Sequence, residues 1–157
     1  MTQPISKEAK IKLEIGMWLD FMVISKVILQ DGKEYLILED PNGLRHFLEA
    51  GLFAGYPLTV GKKINCKVDH INCTGRIFLE PQHPHYIIGK RYFFPIRSLI
   101  EEEGCILAIL DDCFKNAIEM EFLKEDFRYL EKENGLICIV RGIKKGIPEL
   151  DYSINYL

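Results

Sequence analysis

Two stretches of alternating residues hold the side chains best suited to binding chemistry. Ile64, Cys66 and Val68 alternate with Asn65, Lys67 and Asp69, and Ile77 and Leu79 alternate with Arg76 and Phe78. In a strand, successive side chains point to opposite faces. If the apolar set faces a core, Lys67, Arg76 and Phe78 face outward together. Cations beside an outward aromatic ring suit single-stranded nucleic acid, which needs charge for its phosphates and ring faces for its bases. Phe78 has a plainer alternative, which is to pack against the second half of the chain or the linker between the halves. Trp18, the only tryptophan, is out of phase with Leu19 and Phe21, which places it at a domain junction or on a ligand face.

Other chemistries find less support. His70, Cys73, His83 and His85 are potential metal donors, but their spacing, with or without Cys66, matches no structural zinc site. No nucleophile elbow, phosphate-binding loop or serine-histidine-aspartate order is present. No catalytic residue, metal or cofactor is therefore expected, and the protein is expected not to be an enzyme. Five cysteines, an odd number with no Cys-x-x-Cys pair, argue against a disulfide framework. No apolar run approaches the ~18–20 residues that span a bilayer. The first twelve residues lack the apolar core of a signal peptide. The expectation is a cytoplasmic protein with no membrane association.

The elements that must position these side chains are repeated. Leu19, Phe21 and Val23 follow Gly16 at the offsets at which Tyr92, Phe94 and Ile96 follow Gly89. Ile64, Cys66, Val68 and Ile71 return as Leu136, Cys138, Val140 and Ile143, each shifted by 72 positions. Gly75 and Gly146 each precede a last short strand. Between these ends, strands are expected at 35–39 and 44–48, joined by the turn Asp40-Pro41-Asn42-Gly43. Their counterparts are 105–110 and 117–122, joined by a polar turn. One or two helical turns fit 49–55, and Leu123, Phe127 and Leu130 have helical spacing. Three strands, a short helix and two strands, twice over, is the order of the five-stranded Greek-key barrel of the oligonucleotide/oligosaccharide-binding (OB) type. The expected fold is all-β with short helices: a first OB-fold barrel over 11–81, a proline- and histidine-bearing linker over 82–88, and a second barrel over 89–157.

The first half resembles the RNA-binding repeat of ribosomal protein S-one. The likeness rests on Gly43-Leu44-Arg45-His46-Phe47-Leu48-Glu49 and on the run from Val60-Gly61 to Gly75-Arg76-Ile77-Phe78-Leu79, within residues 16–81. The resemblance implies single-stranded RNA bound on the second and third strands, with Tyr35 and His46 in the aromatic and histidine roles and Arg45 beside them. An ordinary half-exposed cross-strand pair is the alternative for Tyr35 and His46. The second half has Glu119 and Glu121 in its third strand and no counterpart of His46.

Charge divides the chain. Residues 61–97 hold seven Lys/Arg against two acids, whereas residues 98–134 hold four against eleven, within a net charge of −3. The leading expectation is a non-catalytic nucleic-acid-binding protein. It binds single-stranded RNA or DNA through Tyr35, Arg45, His46, Lys67, Arg76 and Phe78 of the first barrel. The rival is a protein-interaction module that docks a protein partner through the acidic second barrel and binds no nucleic acid.

Overall fold

The computed structural model describes residues 10–127 and 134–152. It is all-β with short helices, built as two five-stranded antiparallel sheets. The first holds β1 (Trp18–Ile28), β2 (Glu34–Glu39), β3 (Arg45–Glu49), β4 (Lys63–Ile71) and β5 (Ile77–Pro81), in the order β3-β2-β1-β4-β5. The second holds β6 (Arg91–Glu102), β7 (Cys105–Asp111), β8 (Ala117–Leu123), β9 (Gly135–Lys144) and β10 (Ile147–Asp151), in the order β10-β9-β6-β7-β8. Read from opposite ends, the two orders are the same. In each, three hairpin-connected strands are followed by a fourth that returns beside the first, which is a Greek key. The outer strands β3 and β5 approach each other, as do β8 and β10, so each sheet curls toward closure. Among the described residues, no helix is long and apolar enough to cross a membrane.

Both sheets fold by the same local devices. β1 is bulged against β2 between Val23 and Ser25, and β6 against β7 between Ile96 and Ser98. Gly16 N–H donates to the Val68 carbonyl at 2.8 Å, and Gly89 N–H to the Val140 carbonyl at 2.7 Å. The turns between the second and third strands match atom for atom. Asp40 Oδ1 accepts from the backbone N–H of Asn42 and Leu44, and Asp112 Oδ1 from that of Phe114 and Asn116. Both aspartates are buried. Gly43 and Lys115 take the same left-handed conformation three residues on, with φ of +82° and +65°. The 72-residue shift read from the apolar pattern therefore extends to polar groups the pattern does not contain.

The chain divides into two compact units. One comprises residues 1–51 and 57–82, the other 52–56 and 83–157. The first is packed around Phe21, Val23, Leu36, Leu38, Leu48, Cys66 and Val68. The second is packed around Phe94, Ala108, Leu110, Phe127, Leu136, Cys138 and Val140. Much of the segment expected as a linker is structural in the second unit. Tyr86 is in its core, and its hydroxyl accepts from Cys113 N–H at 2.8 Å. His83 is buried, and its Nδ1 accepts from the backbone N–H of His85 and Tyr86, each at 3.0 Å. Tyr56, from the 52–56 segment, lies edge-on to the His83 ring at 5.2 Å.

The turn after β3 is a single 3-10 turn, Ala50–Phe53. The helix expected from Leu123, Phe127 and Leu130 is α1 (Lys124–Phe127). Phe127 is buried as helical spacing requires, but Leu123 belongs to β8 and is 62% exposed. Leu130 lies outside the described residues.

Candidate nucleic-acid interface

A bulge builds the candidate site. Through Val68, β4 pairs regularly with β5, opposite Leu79; Asp69 is then unpaired and His70 faces Phe78. A bulge inserts one residue and re-aims the side chains beyond it. Here it sends His70 outward, onto the face already shared by Lys67. Trp18 of β1 pairs with Lys67, and Lys67 with Glu80 of β5. Directly opposed residues share a face, so Trp18, Lys67, His70 and Phe78 lie on one outer face of β1-β4-β5. Trp18 is 43% exposed.

The His70 and Phe78 rings are stacked, with centroids 4.5 Å apart and planes 8° from parallel. The Arg76 guanidinium carbon lies 4.8 Å from the centroid of the same Phe78 ring, within cation–π range. The loop between β4 and β5 is tied by one side chain. Asn72 Oδ1 accepts from Thr74 N–H, Thr74 Oγ1 and Arg76 N–H at 2.7–3.1 Å. Gly75, at φ +83°, supplies the left-handed residue that reverses the chain. Arg76 is thus fixed by its backbone while its side chain is exposed. Asp20 shares the face and accepts from Asn65 Nδ2 at 3.0 Å, and Glu80 is buried beside Lys67. The site therefore offers ring faces and two cations tempered by carboxylates.

The six residues expected to form one site separate into three groups. Lys67, Arg76 and Phe78 are together, as their alternation implied. Tyr35 and Arg45 are on the outer face of β2-β3, but neither is an open platform. Tyr35 is 9% exposed, set edge-on to Phe47 at 6.2 Å, and donates its hydroxyl to Asp31 Oδ2 at 2.6 Å. That hydrogen bond holds the tyrosine pKa up and the Asp31 pKa down. Arg45 is exposed, with Nε 3.7 Å from Glu39.

His46 is on the opposite, inner face, paired with Leu38. Its side chain is 11% exposed and lies 6.1 Å from the Phe21 ring, and its Nε2 is 2.8 Å from Asp40 Oδ2. The expected outward histidine is thus a core residue that satisfies a buried carboxylate. Its parity with Leu48 in the same strand carries that signal. His70 and Trp18 are the residues sequence reasoning did not assign to the site. The signal for His70 is the three-residue step from Val68 to Ile71, where the alternation breaks.

The cysteines are all free. Burial pushes the Cys66 and Cys138 thiols up to about 12, so both are protonated core residues rather than nucleophiles. Among the described residues, no group of three or more His, Cys, Asp or Glu is placed to hold a metal ion. The chain matches no protein-family model and no curated protein.

Proposed function

We propose that the first unit binds single-stranded nucleic acid, RNA foremost, through the outer face of β1-β4-β5, as a non-catalytic binding protein. The observation that carries this reading is the His70–Phe78 stack with the Arg76 guanidinium against the same ring, beside Lys67 and an exposed Trp18. A base laid on a preformed stack of aromatic and guanidinium planes pays little ordering entropy. Each base–aromatic contact is worth roughly 1–3 kcal/mol. We read both units as OB barrels, which use the loop between the fourth and fifth strands in oligonucleotide binding. Arg76 and Phe78 leave that loop in the first unit. The resemblance of residues 16–81 to an RNA-binding repeat supports the same ligand, with the contacts moved from Tyr35 and His46 to His70, Arg76 and Phe78. Five free cysteines accord with a reducing, cytoplasmic location.

Asp20 and Glu80 on the face make stacking the larger contribution and phosphate contact the smaller. Binding of a short oligouridylate is expected to quench Trp18 fluorescence. Affinity should fall with salt at a log–log slope of about −0.7 to −1.4, as one or two phosphates meet Lys67 and Arg76. Phe78→Ala and His70→Ala should each weaken binding about tenfold, while His70→Ala leaves the thermal midpoint within about a degree. A deoxyoligonucleotide of the same length tests RNA preference. Absence of binding to either strand at low salt would sink the proposal.

A further inference from the structure

The outer face of β6-β7-β8 differs in kind from its counterpart in the first unit. Ile100, Leu107 and Glu121 form one row across the three strands; Ser98, Ile109 and Glu119 form the next; Glu102, Cys105 and Leu123 form a third. Ile100, Leu123, Glu102, Glu119 and Glu121 are exposed. The result is an apolar strip of Ile100, Leu107 and Ile109 bordered by carboxylates. Arg97, at the end of the face, is already engaged: its Nε donates to Asp111 Oδ1 at 2.7 Å and its Nη2 to the Lys115 carbonyl at 2.8 Å.

The first unit serves as an internal control. Its equivalent rows are Val27, Tyr35 and Glu49, and Ser25, Ile37 and Phe47. There Phe47 lies against Tyr35, and Lys33 Nζ neutralises Glu49 at 3.1 Å. A shift of 72 puts Glu119 in the place of Phe47 and Cys105 in the place of Lys33. The second unit therefore lacks the aromatic cover and the internal cation and carries an added carboxylate. Among the described residues, no lysine or arginine pairs with Glu119 or Glu121. The Cys105 thiol registers the field: its pKa is raised, first by its hydrogen bond with Glu121 and then by burial and by Glu102.

We propose that this face docks a basic segment of a partner protein in which apolar residues alternate with lysines or arginines. The apolar side chains would cover Ile100, Leu107 and Ile109, and the cations would answer Glu102, Glu119 and Glu121. Nucleic acid and anionic lipid are repelled by the same carboxylates, and a symmetric dimer through this face would set like charges against each other. The inference rests on a different face and ligand from the proposed function and does not depend on it.

The test is a titration of the full chain with a short synthetic peptide alternating lysine and valine. A lysine–serine peptide of equal charge is the control, and backbone amide NMR shifts are the readout. The lysine–valine peptide should shift Ile100, Leu107 and Ile109. The double variant Glu119→Gln with Glu121→Gln should weaken it about tenfold, the sum of two exposed ion pairs. Cys105→Lys, which restores the cation the first unit has, should weaken it similarly. Neither variant should move the thermal midpoint much, and Trp18→Ala and Phe78→Ala should leave peptide affinity unchanged. The proposal is overturned if the lysine–valine peptide does not bind, if the lysine–serine peptide binds equally well, or if the shifts map elsewhere. It is also overturned if the Glu→Gln and Cys105→Lys variants bind as the parent does. A dimer in sedimentation that Ile100→Asp abolishes and the Glu→Gln variant strengthens would overturn it in favour of a second copy.

Discussion

His46 and His70 are both histidines in the first unit, on strands a few residues from a turn, and their surroundings assign them opposite work. His46 points into the core because it shares parity with Leu48, and it is tolerated there because Asp40 supplies a partner at 2.8 Å. Asp40 in turn holds the β2–β3 turn through two backbone N–H groups. Removing the imidazole strands a buried carboxylate oxygen. His46→Ala is therefore expected to cost about 2–3 kcal/mol, read as a lower midpoint in denaturant unfolding. Oligonucleotide affinity, measured where both proteins are folded, should not change. An unmoved midpoint with lost affinity would return His46 to the binding site. His70 is exposed, and its substitution should have the reverse profile. Chemistry-bearing residue type alone could not separate them; parity in the strand and the position of a bulge do.

At the scale of elements, most of the strands were legible because a half-buried strand writes its face as alternation. Phe21, Val23, Cys66, Val68, Phe94, Cys138 and Val140 are all buried where the pattern placed them. Three things were not legible. The bulges at Asp69 and Arg97 change which residues face out, and alternation is blind to them except as a skipped step. Tyr35 is outward in parity yet covered by Phe47, a contact made across the β2-β3 ladder. The stretch 82–88, with two prolines in four residues, reads as a connector, but His83 and Tyr86 are buried in the second unit. That last element carries a pH dependence. Burial lowers the His83 pKa to about 4 from an ordinary 6.5, against the opposing pull of Asp112 and helped by His85. The unfolded chain then binds a proton between pH 6.5 and 4 that the folded chain refuses. Stability from this group is fully present above pH 6.5 and is lost as pH falls through that window. His83→Asn offers an amide oxygen where Nδ1 accepts from the backbone. Its melting temperature should fall less than the parent's between pH 6.5 and 4; parallel curves would show that His83 is not the group responsible.

At the scale of the whole molecule, the repeat and the chain path pull in different directions. Two sheets with one topology, one set of bulges and one aspartate-held turn would each be expected to fold alone. The chain, however, passes between the units three times, because residues 52–56 are grouped with the second unit while 57–82 return to the first. The first unit's β3 and β4 are thus joined through a segment that is grouped with the second unit. Trp18, in β1, is the only tryptophan and lies in the first unit. Asp112→Ala removes the acceptor for the N–H groups of Phe114 and Asn116 and the partner of Asn116 Nδ2, all in the second unit. It should cost about 2–3 kcal/mol there. If the discontinuous path couples the units, Trp18 fluorescence and far-ultraviolet circular dichroism should report one transition, lowered equally in the variant. A fluorescence midpoint that stays at its parental value while circular dichroism splits into two steps would show that the segment 52–56 transmits no stability between them.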